Sequence, residues 1–317
     1  MIKEEKMHDL INIVLSSDNN YAQHVAVVAA SILCNTREKV AIHLLSDGIS
    51  KERLDLIDET IRNLGSTLKV YNLSKYKCFD NLFTSGHISK AAYFRLDIAN
   101  ILPKEVKKAI YIDVDLIVLQ DICELWQFEM QGKPMAAVPD YGIMASKRLM
   151  KQKQDVIGLP KDSMYFNSGV VIMDLEQWRQ HNYAKQVIDL AAEGNLPHHD
   201  QDALNKVFMG NWQAIPLKWN VIPPVFNLFS KILFNHNLRI NAISARKDKA
   251  IMHFAGRYKP WEFELHKGFN DAYYFYLQKT KFVNVNMPQP GRNMKGKSII
   301  RQMLRLRIAD FWQWLLG

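Results

Sequence analysis

Two aspartates lie two residues apart in the most apolar stretch of the chain, "AIYIDVDLIVL" (109–119). The β-branched residues on both sides predict a strand buried in a parallel sheet, where few charges are tolerated. Alternate side chains of a strand share one face, so Asp113 and Asp115 should converge, roughly 7 Å apart at Cα. Two such carboxylates repel unless a cation lies between them or one takes up a proton. The pair therefore predicts a divalent metal; the alternative is an ordinary turn.

A histidine far along the chain could complete this site. His253 follows an apolar run in "AIMHFAGRYKPW" (250–261), and Gly256 and Lys259 come after it. Oxygen-rich sites with one imidazole suit Mn²⁺ or Mg²⁺. Gly256 would let the backbone approach a ligand closely, and Lys259 could meet a phosphate as a point charge. Taken alone, a single histidine is more often a core or surface residue.

The loop after the first predicted strand indicates a nucleotide site. "SSDNNY" (16–21) follows that strand at the position where mononucleotide-binding folds hold their ligand, without a Gly-x-Gly-x-x-Gly fingerprint. Asp18 and Asn20 could hydrogen-bond a base edge, and Tyr21 could stack on a base. The alternative is plain turn chemistry, which favours Asn and Asp.

The elements that must position these residues alternate between strand and helix. The patterns predict strands at 10–15, 40–48, 67–73 and 109–119, and helices at 22–34, 50–65 and 89–103. Further on they predict strands at 135–140 and 168–175, helices at 176–194 and 200–208, and irregular structure over 218–261. This alternation predicts an α/β fold with a mostly parallel central sheet flanked by helices.

Composition restricts the class of protein. The 317 residues are 48% hydrophobic, which is enough for a sizeable core. The sequence has no uninterrupted run of about 18 apolar residues, so no membrane-spanning helix is expected. The N-terminal "MIKEEKMHDL" lacks an apolar signal core, and the three cysteines form no metal or redox motif, so a reducing, cytoplasmic setting is expected. No nucleic-acid recognition motif accompanies the net charge of +9.

The basic charge concentrates near the C-terminus. Residues 292–317 hold six Lys or Arg against Asp310, which gives +5 of the +9. Apolar residues recur there at helical spacing, and Trp312 and Trp314 suit an interface, so 286–317 is expected to be a linker followed by an amphipathic helix on an anionic membrane. Each basic residue near such a surface contributes about 1 kcal/mol. The alternative is a helix that docks on the protein's own body or on a partner chain.

Six segments, taken in order, resemble glycosyltransferase family 8. They are "IVLSSDNNY" (13–21), "HISKAAYFRL" (87–96), "IYIDVDLIV" (110–118), "YFNSGVVIMDLEQWR" (165–179), "HHDQDALN" (198–205) and "HFAGRYKPW" (253–261). This retaining, nucleotide-sugar-dependent family includes bacterial lipopolysaccharide galactosyl- and glucosyltransferases. The resemblance implies a GT-A fold over residues 1–285, a UDP-sugar donor and bound Mn²⁺, with Mg²⁺ as the alternative.

The resemblance also implies roles for individual residues. Those expected to contact the donor are Ser16, Ser17, Asp18, Asn20, Tyr21, Arg95, Asp113, Val114, Asp115, Asn167, Gly256 and Lys259. The expected metal ligands are Asp113, Asp115 and His253, and the expected catalytic residues are Asp200 and Gln201. Ser16 and Ser17 stand where a family member carries alanines, a mild departure that leaves the nucleotide role intact.

The implied activity is transfer of galactose or glucose from a UDP-sugar to a saccharide or lipid-linked saccharide. Such an enzyme would serve lipopolysaccharide or other surface-glycan synthesis from the inner face of the plasma membrane. Two alternatives come from other classes of protein. One is a haloacid-dehalogenase-like phosphatase, which also uses Asp-x-Asp after an apolar strand, and the other is a non-catalytic nucleotide-sugar-binding protein.

Overall fold

The computed structural model describes residues 10–80, 82, 89–226, 236–256, 259–262 and 267–282. Its strands are β1 (Ile11–Asp18), β2 (Val40–Asp47), β3 (Thr67–Asn72), β4 (Lys108–Ile112), β5 (Leu116–Val118), β6 (Met135–Pro139), β7 (Phe166–Asp174), β8 (Gln213–Ala214) and β9 (Ile251–His253). Its α-helices are α1 (Ala22–Asn35), α2 (Lys51–Asn63), α3 (Ile98–Ile101), α4 (Ile122–Trp126), α5 (Tyr141–Met144), α6 (Lys147–Ile157), α7 (Leu175–Gln180), α8 (Tyr183–Ala192), α9 (His199–Val207), α10 (His236–Lys247) and α11 (Lys267–Leu277). Short 3-10 helices cover Lys77–Phe79, Lys90–Asp97, Leu217–Trp219 and Pro223–Phe226.

Seven strands form one sheet in the order β3-β2-β1-β4-β7-β6-β8. All its pairings are parallel except that β7 runs antiparallel to both β4 and β6. The carboxyl ends of β1, β4 and β6 therefore meet the start of β7 at one edge, where open α/β sheets hold their ligands. A second, two-stranded sheet pairs β5 antiparallel with β9 and sets Leu116 opposite His253.

Apolar clusters cover both faces of the large sheet. Ile13 and Leu15 of β1 belong to one cluster, with α1 and α11, while Val14 between them belongs to the other. The second cluster contains Phe94 and Trp178, from the 3-10 helix Lys90–Asp97 and from α7. A sheet covered on both faces needs strands that are apolar throughout, which is why these strands read as continuous apolar runs. The predicted mostly parallel sheet flanked by helices is confirmed.

The predicted strand 109–119 is wrong in one respect. It divides into β4 and β5, which belong to different sheets, and Asp113, Val114 and Asp115 lie in the bend between them. The two carboxylates are thus brought together by a change of chain direction and not by strand alternation. Two predicted helices also differ from the structure: 89–103 is mostly a 3-10 helix that ends in α3, and 176–194 breaks at Asn182. The region 218–261, predicted as irregular, contains α10 and β9.

The break at Asn182 has a simple backbone cause. Its φ of 53° is left-handed, a conformation that Asn adopts more readily than most residues, and it separates α7 from α8. Helix α6 was not predicted, although its ends carry recognisable signals. Ser146 accepts a hydrogen bond from the Leu149 N–H, and Gly158 follows in the left-handed conformation with φ 72°.

Within the described ranges, no helix combines the length and hydropathy that crossing a bilayer requires. The predicted linker and amphipathic tail, 286–317, lie outside the described residues. The same holds for residues 87–88 and 257–258 of the segments that carry the family resemblance.

Candidate active site

Two carboxylates and an imidazole converge where β4 ends and β5 begins. Asp113 follows β4, Asp115 precedes β5, and His253 ends β9 beside them because β9 pairs with β5. Nε2 of His253 lies 3.2 Å from Oδ1 of Asp115 and 3.9 Å from Oδ2 of Asp113. One ligand atom from each residue lies within 4.8 Å of the others. This spacing leaves room for one divalent cation bound by all three.

A hydrogen-bonded chain orients the imidazole. Nδ1 of His253 lies 2.8 Å from Oδ1 of the buried Asn220. An amide oxygen only accepts, so Nδ1 donates to Asn220, and Nε2 is the nitrogen that faces the carboxylates. Asn220 in turn donates to Oδ1 of Asn167 at 2.8 Å, and Asn167 donates to Oδ2 of Asp140 at 3.1 Å. Asn167, expected to contact the donor, is thus also a link in this chain.

A glycine of β7 makes room for the cluster. A Cβ on Gly169 would lie 2.5 Å from Cε1 of His253 and 2.7 Å from Oδ2 of Asp113, closer than real contacts allow. The carbonyl of Gly169 also accepts from the Asp113 N–H at 2.9 Å, which fixes the bend that carries both aspartates. The donor set, the orientation of the imidazole and the missing side chain of Gly169 together fit a Mn²⁺ or Mg²⁺ site.

Two cationic side chains already partner the carboxylates. The buried Arg95 places Nη2 2.9 Å from Oδ1 of Asp113 and Nε 3.2 Å from Oδ2 of Asp200. Lys259 forms an ion pair with Asp115 and donates to the Phe254 carbonyl at 2.8 Å. Arg95 and Lys259 therefore relieve part of the repulsion between the two aspartates, for which only a metal ion or a proton was predicted.

Burial and charge act in opposite directions on the acidic residues here. Burial alone would raise the pKa of Asp115, but the charges of Lys259 and His253 hold that pKa well below its usual range. Asp200 behaves differently: burial raises its pKa, and Arg95 only partly offsets this. The cluster therefore keeps Asp115 ionised, which is the form in which a carboxylate can bind a metal ion.

The first turn of α9 presents Asp200 and Gln201 to the same region. Oε1 of Gln201 accepts from the Ser168 N–H at 3.1 Å, and Nε2 donates to Oδ2 of Asp140 at 3.1 Å. Asp140 directly follows β6 and is buried, and sequence reasoning missed it. Its position after an apolar strand, in "AAVPDYG", resembles that of Asp113 and is the signal that could have found it.

Strand β1 extends to Asp18, three residues beyond the predicted strand, so Ser16, Ser17 and Asp18 end the strand and only residues 19–21 form the loop. Oδ1 of Asp18 accepts from the backbone N–H groups of Asn20 at 2.8 Å and Tyr21 at 3.1 Å, the turn chemistry weighed as the alternative. Ser16 donates to the Ala91 carbonyl at 2.5 Å, and Ser17 donates to the Asp18 carbonyl at 2.9 Å. This loop follows β1 at the same sheet edge as Asp113.

Tyr21 packs against an aromatic residue near Lys259, and Gly256 follows β9. The Tyr21 ring meets the edge of Trp261 with centroids 5.9 Å apart. Burial, followed by the charge of Asp115, raises the pKa of Tyr21 to about 12. Gly256 has a φ of +97°, which only glycine adopts easily. Val114, between the two aspartates, is half-buried.

Known proteins share this fold and this sequence pattern. General stress protein A of Bacillus subtilis is 30% identical over 302 residues, which cover 91% of this chain and 99% of that protein. A lipopolysaccharide 1,2-glucosyltransferase of Escherichia coli is 25% identical over 93% of this chain and 83% of its own length. The crystal structure of the galactosyltransferase LgtC with donor and acceptor sugar analogs matches with a TM-score of 0.72, 22% identity, and coverage of 92% of this chain and all of that one.

The structural match confirms the predicted GT-A fold. The model of the family "Glycosyl transferase family 8" matches residues 12–264, a range that contains the three-residue cluster, Arg95, the α9 turn and Lys259. The family model and the Escherichia coli relative both indicate a transferase. The chain belongs to glycosyl transferase family 8.

Proposed function

We propose that this glycosyltransferase moves a hexose from a UDP-sugar to a saccharide acceptor, with retention of anomeric configuration and with a divalent ion at Asp113, Asp115 and His253. The observation that carries the proposal is the convergence of these three side chains within 4.8 Å, directly beside Arg95 and Lys259. Mn²⁺ is the ion we expect, with Mg²⁺ as the alternative.

The donor site we propose runs along one edge of the sheet. Residues 16–21 would hold uridine, and Gly256 and Lys259 would meet the diphosphate. Arg95 would approach the donor beside Asp113, while Asn167 and Val114 would contact its sugar end. A bound divalent ion would act as a Lewis acid that offsets negative charge on the leaving diphosphate. Lys259 would add its charge to the same stabilisation.

Retention is best explained by attack from the face that the diphosphate leaves. A double displacement needs a nucleophile beneath the anomeric carbon, and the amide of Gln201 is a poor one. Asp200 is held by Arg95 at 3.2 Å and by the Ser168 hydroxyl at 3.4 Å, so it suits orientation of the sugar and stabilisation of positive charge at the ring. The departing phosphate oxygen would accept the acceptor's proton. A trapped covalent glycosyl adduct on either residue would contradict this mechanism.

Family membership argues against the phosphatase alternative, because the Asp-x-Asp here belongs to a three-ligand cluster with His253 and not to a nucleophile near the N-terminus. A protein that only binds a nucleotide-sugar would need residues that hold the donor, but it would not need residues arranged around the reacting sugar. Instead Arg95, Asp200, Gln201 and Asp140 surround the cluster with connected hydrogen bonds.

The acceptor we propose belongs to lipopolysaccharide or another surface glycan. Support comes from the Escherichia coli relative, whose name assigns it to lipopolysaccharide. A lipid-linked acceptor would make membrane attachment useful, and residues 292–317 have the charge and apolar spacing for it. We therefore propose a cytoplasmic enzyme held on the inner face of the plasma membrane through this segment.

The test is to incubate the protein with Mn²⁺ and a panel of UDP-sugars and to measure UDP release with and without lipid-linked saccharides. One UDP-hexose should be consumed, excess EDTA should abolish the reaction, and Mn²⁺ should restore it. Unchanged transfer in EDTA would refute the metal role. UDP binding without turnover of any donor would support the non-catalytic alternative, and hydrolysis of p-nitrophenyl phosphate would support the phosphatase.

A further inference from the structure

A fully buried ion pair lies beside the turn that carries Gln201. Lys153 of α6 and Asp202 of α9 both have side chains that are 0% exposed. Nζ of Lys153 lies 2.7 Å from Oδ1 and 2.9 Å from Oδ2 of Asp202, and 2.6 Å from Nδ1 of His198. All three ammonium hydrogens thus have an acceptor, so the buried charge is fully compensated.

The same carboxylate fixes the direction of a hydrogen-bond chain. Asp202 accepts from the Tyr165 hydroxyl at 2.7 Å, and an ionised carboxylate cannot donate in return. The single hydroxyl hydrogen of Tyr165 is therefore committed to Asp202, and its oxygen faces other neighbours as an acceptor. One such neighbour is Gln201, whose Nε2 lies 3.3 Å away. The chain of donors runs from Gln201 through Tyr165 to Asp202.

This direction determines which way the Gln201 amide faces. Nε2 donates to Tyr165 and to Oδ2 of Asp140, while Oε1 accepts from the Ser168 N–H. A flipped amide would oppose donor to donor at Ser168 and acceptor to acceptor at Asp140. The orientation of Gln201 toward the donor site is thus set by contacts on three sides.

The backbone of the turn also depends on Asp202. His199 has a φ of 43°, a left-handed conformation that must be held by its surroundings in a residue other than glycine. Oδ2 of Asp202 accepts from the N–H of His198 at 2.8 Å, on the other side of His199. This bond closes the turn from which Asp200 and Gln201 follow.

We propose that Lys153, Asp202 and Tyr165 are positioning residues for glycosyl transfer, which act by fixing the amide of Gln201 at the donor sugar. This inference rests on the proposed role of Gln201. Buried ion pairs contribute little net stability compared with apolar side chains of similar size. A role in holding neighbouring side chains in one conformation explains such a pair better. Lys153 lies in α6 and Tyr165 directly precedes β7, so Asp202 connects two other segments to the helix that carries Gln201.

The direct test is Tyr165→Phe, which removes the hydroxyl and leaves the ion pair. Losing one hydrogen bond to Gln201 should lower kcat by about five- to tenfold. UDP affinity, measured by product inhibition, should stay unchanged because the ion pair and the loop after β1 are untouched. The matched control is Tyr71→Phe, which removes a hydroxyl bonded to His43 at 3.0 Å on β2 and should leave kcat unchanged.

A double-mutant cycle separates positioning from a general structural effect. If Tyr165 acts through Gln201, Tyr165→Phe should have no further effect on kcat in a Gln201→Ala background. Multiplying effects, or an unchanged kcat in Tyr165→Phe alone, would overturn the proposal. Should Tyr165→Phe fail to fold, the same cycle is run with Lys153→Met/Asp202→Asn, which removes both charges together and avoids an unpaired one.

A crystal structure of Tyr165→Phe tests the positioning of Gln201 separately from the proposed glycosyltransferase activity. We expect Nε2 of Gln201 to move from its place opposite residue 165 in the variant, while Oε1 keeps its contact with the Ser168 N–H. An unmoved amide would overturn the positioning role whatever the activity. A displaced amide in a protein whose wild type consumes no UDP-sugar would instead refute the proposed function and leave the positioning of Gln201 established.

Discussion

Nδ1 of His253 lies 2.8 Å from the side-chain oxygen of Asn220, and this contact aims the other imidazole nitrogen at two carboxylates. Asn220→Ala should therefore weaken Mn²⁺ binding by about 10- to 100-fold, the usual effect of losing the group behind a metal-ligating histidine. Electron paramagnetic resonance of free Mn²⁺ measures this without turnover. Asn211→Ala, which removes a peripheral amide, is the control, and equal affinity in both variants would contradict the proposed ligand role of His253.

Gly169→Ala should abolish metal binding while the fold is retained. The new methyl group would come within 2.5 Å of His253 and 2.7 Å of Asp113, so one of these side chains must move. We expect far-ultraviolet circular dichroism like that of the wild type, with no saturable Mn²⁺ binding and no transfer. Normal Mn²⁺ affinity in this variant would show that the cluster is not the metal site.

Stability should fall in mild acid because of His24. Its Nδ1 lies 2.7 Å from the Tyr273 hydroxyl and its ring stacks on Trp261 at 3.7 Å, and burial lowers its pKa to about 3. The unfolded chain takes up a proton near the ordinary pKa of about 6.5, whereas the folded chain does not. The contribution of His24 is therefore complete above about pH 6.5 and is lost progressively as the pH falls toward about 3.

The measurement is urea unfolding of the wild type and of His24→Asn between pH 7 and pH 4.5. Below about pH 6.5, His24 should add about 1.4 kcal/mol per pH unit to the slope of unfolding free energy against pH. The variant should lack this contribution to the slope. His43, whose pKa burial lowers to about 4, remains in both proteins and adds a common slope. Equal slopes would mean that His24 is protonated in the folded protein.

Removal of residues 292–317 tests the proposed membrane segment. The truncated protein should stay folded and active on a free saccharide acceptor, yet it should no longer sediment with anionic vesicles. Vesicles of neutral lipid provide the control, since binding by a basic segment should depend on lipid charge. Unfolding on truncation would instead favour a helix that docks on the protein's own body.

The sequence was informative where residue type alone decides chemistry. Asp113, Asp115 and His253 were grouped across 140 residues, and the structure brings them together, although their metal role stays a prediction. The reason given for the aspartate pair was wrong, because a bend and not a strand aligns them. Strand β1 was predicted at 10–15, since a run covered on both faces must be apolar throughout, but it continues through the polar residues Ser16, Ser17 and Asp18.

The supporting residues could not be predicted in the same way. Asn220 lies in a stretch with no periodic pattern, and its partner His253 is 33 residues away. Lys153 looks like a solvent-facing residue of a lysine-rich helix until α9 is placed against it. Such contacts depend on how distant segments meet, which local patterns do not encode. Helix α10 was missed because its polar and apolar residues mix without a clear amphipathic face.

The pairing of β5 with β9 links two segments that are far apart in the chain. A polypeptide shortened before Ile251 would keep both aspartates but lack the imidazole, and a growing chain passes through that state during synthesis. We expect such a chain to bind the proposed divalent ion selectively only once β9 has docked on β5 and brought His253 to the two aspartates.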